Sequence, residues 1–254
     1  MGSEGANLLA VNRGERTRAA IIVPISGETP EAVLDAAANT IGHAVDIVEW
    51  RADGLDELSP ESITATAFAL DEILADPLLL TVRTRTEGGS ADIDDETYAE
   101  LVLAGIAARN AAFVDVEFRR DAHIVARLVD AARRAGVGVI LSAHDFVATP
   151  SKEQLRELFE AMCSVSPDVV KIAVMPQDAR DVLALLEIAL DVREAHPDQA
   201  FVSIAMGALG VVSRIAAGAF GSVATFGTIG AASAPGQIDA DELRRMLDAI
   251  DAAN

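Results

Sequence analysis

Apolar, β-branched runs recur along the chain. Each is followed by a helical pattern, and the alternation fills 254 residues without a break in composition. These three observations predict an α/β fold, a closed (β/α)8 barrel of the TIM type. Strict strand–helix alternation implies parallel strands with crossover helices, and eight such units match the size of that barrel. Strands are expected at residues 19–26, 46–51, 78–84, 113–118, 138–146, 168–174, 201–207 and 222–228. The helices between them carry readable start signals. Thr29-Pro30-Glu31 and Ser59-Pro60-Glu61 each set a capping side chain before a first-turn proline. Ser151 with Gln154, and Asp239 with Glu242, have capping-box spacing. Gly42 and Gly136 stand where helix C-caps are expected. Residues 19–254 are expected to form one barrel, with residues 1–18 as a tail or a short hairpin closing its floor. A doubly wound open sheet is the alternative, but no Gly-x-Gly-x-x-Gly follows the first strand and no phosphate-cradling Gly-Lys-Ser/Thr occurs.

Composition narrows the function. A formal charge of −20 argues against nucleic acid and anionic membrane as partners. The longest apolar stretches fall far short of the ~20 residues a membrane helix needs. The N-terminus lacks a basic start followed by an apolar run, so no secretory signal is expected. Cys163 is the only cysteine, which rules out an internal disulfide and suits a reducing cytoplasm.

Of 20 basic residues only Lys152 and Lys171 are lysine, so wherever a fixed positive charge suffices this chain uses arginine. Lys171 lies inside the apolar run Asp168-Val169-Val170-Lys171-Ile172-Ala173-Val174. It is a candidate for what arginine cannot do, which is to lose a proton and attack a carbonyl as a neutral amine. A structural lysine paired with a carboxylate is the competing reading. Other strands repeat the pattern on the parity that would face the barrel interior, near the C-terminal ends where barrel chemistry gathers. They carry Glu49 and Arg51, Thr81 and Arg83, Asp115 and Glu117, Ser142 and His144; the seventh splits Ser203 from Ile204 and Met206. An interior built for stability alone would hold Val, Ile and Leu, since buried charges are costly unless paired. Of four histidines only His144 ends a strand; His43, His123 and His196 read as surface residues. Glu49, Asp115 and Glu117 have metal-ligand chemistry, but the interleaved arginines favour ion pairs. After the eighth strand, Gly227–Gln237 is a small-residue loop with the character of a lid. Arg214 suits bidentate capture of a carboxylate, although a surface arginine is its default reading.

In order, the chain presents Val48-Glu49-Trp50-Arg51-Ala52-Asp53, Thr81-Val82-Arg83-Thr84-Arg85-Thr86-Glu87-Gly88-Gly89, Ser142-Ala143-His144-Asp145-Phe146 with Thr149-Pro150, Val170-Lys171-Ile172-Ala173, Met206-Gly207 through Gly210 to Ser213-Arg214-Ile215, and Ser233-Ala234-Pro235-Gly236-Gln237-Ile238. From about residue 19 to the C-terminus these segments resemble type I 3-dehydroquinate dehydratase, the cofactor-independent Schiff-base enzyme of the shikimate pathway. The stretch after Asp53 and the first 16 residues match less well.

The resemblance implies a hydro-lyase that removes water from 3-dehydroquinate by syn elimination to give 3-dehydroshikimate. It implies Lys171 as the imine-forming residue, His144 as the proton shuttle and Glu87 as the carboxylate orienting His144. Arg214 would bind the substrate carboxylate. Glu49, Arg51, Arg83, Ser233 and Gln237 would hold hydroxyls and carbonyl, and Met206 would pack on the ring. Arginines crowded around the lysine would ease loss of its proton by like-charge repulsion. No cofactor and no metal are implied, and the enzyme is expected to be cytoplasmic and a homodimer. Alternatives that use the same residues are a class I aldolase, a metal-dependent barrel enzyme and a barrel that binds a polyol acid without turnover.

Overall fold

The computed structural model describes residues 18–230 and 234–252. Along the chain run β1 (Ala20–Ile25), α1 (Pro30–Ala38), β2 (Ile47–Arg51), α2 (Pro60–Ile73), β3 (Leu78–Thr81), α3 (Asp95–Ala108), β4 (Phe113–Glu117), α4 (Ala122–Ala135), β5 (Gly138–Asp145), α5 (Lys152–Ser164), β6 (Val169–Val174), α6 (Ala179–Ala195), β7 (Ala200–Ala205), α7 (Val211–Ile215), β8 (Ala224–Thr228), a two-residue β9 (Ile238–Asp239) and α8 (Ala240–Asp251). Every ladder is parallel, in the order β7-β6-β5-β4-β3-β2-β1-β8-β9. The seam between β7 and β8 carries single bonds: Val223 N–H donates to the Phe201 carbonyl at 2.9 Å, and Ser203 N–H to Ser222 Oγ at 3.0 Å. The architecture is the (β/α)8 barrel the alternation predicted. Among the described residues no helix is long and apolar enough to cross a membrane.

Alternation along each strand divides the side chains between two cores. One parity, including Val48, Trp50, Leu80, Val114, Leu141 and Ile172, packs under the helices. The other fills the barrel, and its lower part is apolar: Ile22, Ile47, Leu79, Phe113, Ile140, Val169 and Val202 form one buried cluster. Removal of each large side chain from water contributes about 1.5–3 kcal/mol, which gives the barrel a dry, rigid base. Register then stacks the polar residues above it, with Glu117 opposite Ser142 and Ser142 opposite Lys171. Two steps along the strand separate a core residue from a site residue.

Caps largely follow the sequence signals. Thr29 accepts from the Ala32 amide at 3.3 Å. Ser59 caps α2 in a reciprocal box with Ser62, and Ser151 does the same with Gln154. Asp239 accepts from the amides of Asp241 and Glu242. Gly136 terminates α4 in the left-handed region. Gly42 does not terminate α1, which ends at Ala38 with Asn39 as its cap; Gly42 occupies a later turn at φ +88°. β3 stops at Thr81, short of the expected Thr84, because the Arg83 amide donates to the Asp53 carboxylate at 3.0 Å rather than to a neighbouring strand.

Candidate active site

Lys171, the lysine of β6, is buried at the centre of the barrel's upper layer. Its Nζ lies 3.5 Å from Asp115 Oδ2, 3.8 Å from Glu49 Oε1 and 4.4 Å from the Phe226 ring centroid. These ion contacts are longer than a good hydrogen bond, so the amine is held loosely. The sign of its surroundings corrects the sequence expectation. The nearest charges to Nζ are carboxylates, and the guanidinium expected to repel it shares one of them with it: Arg83 Nη2 sits 2.8 Å from Asp115 Oδ2, and Nη1 lies 3.2 Å from Glu117 and 3.0 Å from Ser142 Oγ. Ser142 in turn donates to Asp115 at 2.6 Å, and Thr81 donates to Glu49 at 2.9 Å. Burial alone would raise the Asp115 carboxyl, but Arg83 and Lys171 outweigh it and hold the group below the usual carboxylate range. Asp115 and Glu117 thus form the ion pairs that the interleaved arginines suggested.

His144, near the end of β5, contacts Glu87 through Nδ1 at 2.9 Å, which leaves the Nε2 side of the ring for the cavity. Burial holds the imidazole well below its ordinary range, reinforced by the charges of Arg83, Lys171, Arg51 and Arg119. Burial also pushes the Glu87 carboxyl up to about 7; Arg83 opposes that shift, while Glu117 and Asp115 add to it. Both shifts favour the uncharged partners. The carboxylate expected to orient His144 is thus one that itself titrates near neutrality.

Glu87 is carried by a short loop whose anchor the sequence reading did not assign. Arg51 Nε and Nη2 grip Asp53 in a fork, each at 2.8 Å. The same carboxylate accepts the amides of Arg83 and Ser90, each at 3.0 Å. The loop then folds tightly: Gly89 N–H donates to the Thr84 carbonyl at 2.8 Å, and a Cβ at Gly89 would lie 2.0 Å from the Arg83 carbonyl oxygen.

Arg214, on α7, is buried, so the surface reading fails. Its Nη1 donates to the Phe226 carbonyl at 3.3 Å and Nη2 to the Pro235 carbonyl at 3.2 Å. Among the described residues no carboxylate pairs with it, and burial alone lowers its pKa to about 10. The far end of the β8–β9 loop docks here, with the Gly207 amide on the Pro235 carbonyl at 3.1 Å. Ser233 lies outside the described residues.

One cavity of about 540 Å3 is lined by Glu49, Arg51, Arg83, Glu87, His144, Lys171, Met206, Arg214 and Gln237. The structure therefore brings together every site residue named from the sequence apart from Ser233. Pro24, Gly88, Phe146, Ala173, Ile204, Ala234 and Phe226 complete the lining. Ala173 and Phe146 lie two residues beyond Lys171 and His144, so parity carried one step further would have found them. Pro24 and Phe226 were missed because no charged residue marked their strands.

Comparison with known proteins gives the family. The family model described as Type I 3-dehydroquinase matches residues 21–254. The chain is 39% identical over 234 residues to a 3-dehydroquinate dehydratase of Klebsiella pneumoniae strain 342, covering 91% of this chain and 92% of the relative. It is 40% identical over 236 residues to one from Listeria innocua, with 91% and 92% covered. A crystal structure of a type I 3-dehydroquinate dehydratase from Clostridium difficile, with covalently modified comenic acid, superimposes with a TM-score of 0.90 at 33% identity over 95% of each chain. The 3-dehydroquinate dehydratase of Geobacillus kaustophilus gives 0.89 at 31% identity, over 93% of this chain and 92% of the other. The chain belongs to the type I 3-dehydroquinase family.

Proposed function

We propose that this protein dehydrates 3-dehydroquinate to 3-dehydroshikimate through an imine on Lys171, a step of the shikimate pathway. The observation that carries the reading is the meeting, in one cavity, of a buried lysine, a hydrogen-bonded His144–Glu87 pair and a buried guanidinium that no carboxylate pairs with among the described residues. Arg214 gains that partner when a substrate carboxylate enters, by a charge-assisted, bidentate contact. Its charge is buried in advance, so the desolvation cost falls on the fold rather than on binding.

Lys171 Nζ attacks the C3 carbonyl carbon; the oxygen leaves as water and a protonated imine remains. That cation draws electrons from the adjacent carbon and acidifies the C2 hydrogen. His144 Nε2 takes this proton and returns one to the C1 hydroxyl, which departs as water as the C1–C2 double bond forms; water then hydrolyses the imine and frees the amine. The shared proton of the pair suits both tasks. With Glu87 ionised, Nδ1–H donates to it and Nε2 presents a lone pair to the cavity. With Glu87 protonated, the carboxyl donates to Nδ1 and Nε2 carries the hydrogen. Glu49 and Asp115 stabilise the cationic imine, while Arg51, Gln237 and Ser233 hold hydroxyls and Met206 packs on the ring. Arg83, tied to Asp115 and Glu117, fixes the Asp115 carboxylate that faces the amine.

Borohydride reduction with 3-dehydroquinate present, followed by peptide mass spectrometry, tests the reading. A ligand-sized adduct on the peptide containing Lys171, absent without borohydride, is expected. Lys171→Arg should give neither adduct nor turnover, because a guanidinium forms no imine. Wild-type-like activity in Lys171→Arg would sink the mechanism.

A further inference from the structure

Phe146 follows the last residue of β5 and is two residues beyond His144. Its ring stacks on the imidazole with centroids 6.3 Å apart and planes at 21°. Its other edge lies against Gly88, the residue after Glu87: a Cβ built at Gly88 would fall 2.2 Å from Phe146 Cε2. Gly88 stands at φ +81°, so backbone conformation and ring contact both require glycine there. The ring therefore touches both halves of the His144–Glu87 pair, one directly and one through the adjacent Cα. It is also held in place. The amides of Val147 and Ala148 both donate to Asp145 Oδ1 at 2.9 Å, and Gln177 Nε2 donates to the Val147 carbonyl at 2.8 Å. A side chain 38% exposed on a segment braced from two sides has the character of a fitted cover.

We propose that Phe146 is a positioning residue, whose ring, seated between the His144 imidazole and the bare Cα of Gly88, keeps water off the His144–Glu87 pair and fixes the plane of the imidazole for proton transfer. This rests on the reading of His144 as the proton carrier. His144 is only 8% exposed, and the Phe146 ring stacks beside it in the lining of the cavity. The charges facing His144 are Glu87 and Arg83 after β3, Arg51 on β2, Arg119 after β4 and Lys171 on β6. None of them is altered by changing Phe146.

The test reads His144 directly, by NMR titration of the histidine ring signals in the free protein. The His144 signal is assigned by its loss in His144→Ala. In Phe146→Ala the His144 midpoint should rise by at least about half a pH unit, since water returns to a ring that burial had kept neutral. Phe146→Tyr keeps the ring and should leave the midpoint near that of the wild type. Gly88→Ala forces the ring outward and should move it as Phe146→Ala does, which keeps the test available if Phe146→Ala does not fold. An unmoved midpoint in a folded Phe146→Ala overturns the proposal; with a raised KM it would mark Phe146 as a plain substrate contact. The pH profile of kcat separates the two readings. If the midpoint moves and the acid limb of kcat moves with it, both stand. If the midpoint moves while that limb stays fixed, the cover stands and the proton-carrier role of His144 falls.

Discussion

Glu87 is a residue the fold holds against its own electrostatic preference. Its carboxyl stands at about 7 instead of 4.5, mainly through burial. Because the folded value is raised, the native state binds more protons between those limits, so this contribution to stability is complete below about 4.5 and is lost as pH climbs through about 7. His144 runs the other way: its folded value is lowered, so its contribution is present above its ordinary range near 6.5 and is lost as pH falls. The two oppose each other under mildly acidic conditions, and above neutrality only the Glu87 cost remains. That cost has a ceiling of about 3.5 kcal/mol, from roughly 2.5 units at about 1.4 kcal/mol each. Glu87→Gln removes it, so the Tm of the variant relative to wild type should be higher at pH 8.5 than at pH 5.5, by several degrees, while kcat falls. Calorimetry across that range checks it, and a constant difference would mean that Glu87 does not titrate between those values. Lys171 and His144 were legible in the sequence because each breaks a pattern, one as a lysine in an arginine-rich chain and one as the only strand-end histidine. The sign of the charge beside Lys171 was not legible. Parity tells which face a side chain takes, but the pairing of Arg83 with Asp115 rather than with open cavity is decided in three dimensions.

Between residue and fold stands the loop from Thr84 to Ala91, which delivers Glu87 to His144. Glu117 holds its first residue, accepting the Thr84 amide at 2.8 Å and the Thr84 hydroxyl at 2.7 Å, and Asp53 is the carboxylate that spans both of its ends. Asp53 follows β2, yet it binds the amides of Arg83 and Ser90 at the two ends of this loop as well as the guanidinium of Arg51. Burial would raise its pKa; the Arg51 fork and the two amides outweigh burial and hold it below the usual range. Asp53→Asn replaces one acceptor oxygen by an NH2 that must face both an amide N–H and a guanidinium N–H, since each oxygen accepts from one of each. Breaking a buried pair of this kind costs about 3–5 kcal/mol. The variant should show a lower Tm and cleavage by protease within residues 84–91, and kcat should fall because Glu87 no longer meets His144. Wild-type protease resistance and kinetics would show that the loop holds itself. Helix starts were legible here because a cap is local chemistry of four residues, as Ser59 and Ser151 illustrate. The early end of β3 was not, since a carboxylate from the turn after β2 takes the Arg83 amide that a ladder would have used.

At the scale of the whole molecule, a chain of charge −20 is proposed to take an anion as substrate, and the two facts pull against each other. The attraction is local. Arg214 is buried and has no carboxylate partner among the described residues, Arg51 is ion-paired with Asp53, and Arg85, exposed, is paired with Asp92. The repulsion is global and acts through solvent. Salt treats the two unequally: the screening length falls from about 30 Å at 10 mM to about 8 Å at physiological ionic strength, whereas a buried contact is screened far less. Raising sodium chloride from 10 to 150 mM should therefore weaken the distant repulsion while leaving the Arg214 contact largely intact. KM should fall, by about two- to fivefold, and kcat/KM should rise. Steady-state kinetics over that range, at fixed pH, supplies the check. A KM that climbs with salt from the lowest concentration would mean that the cavity's own positive field reaches beyond its mouth and governs capture. The acidic surface would then be electrostatically irrelevant to the substrate, despite carrying nearly all of the protein's charge.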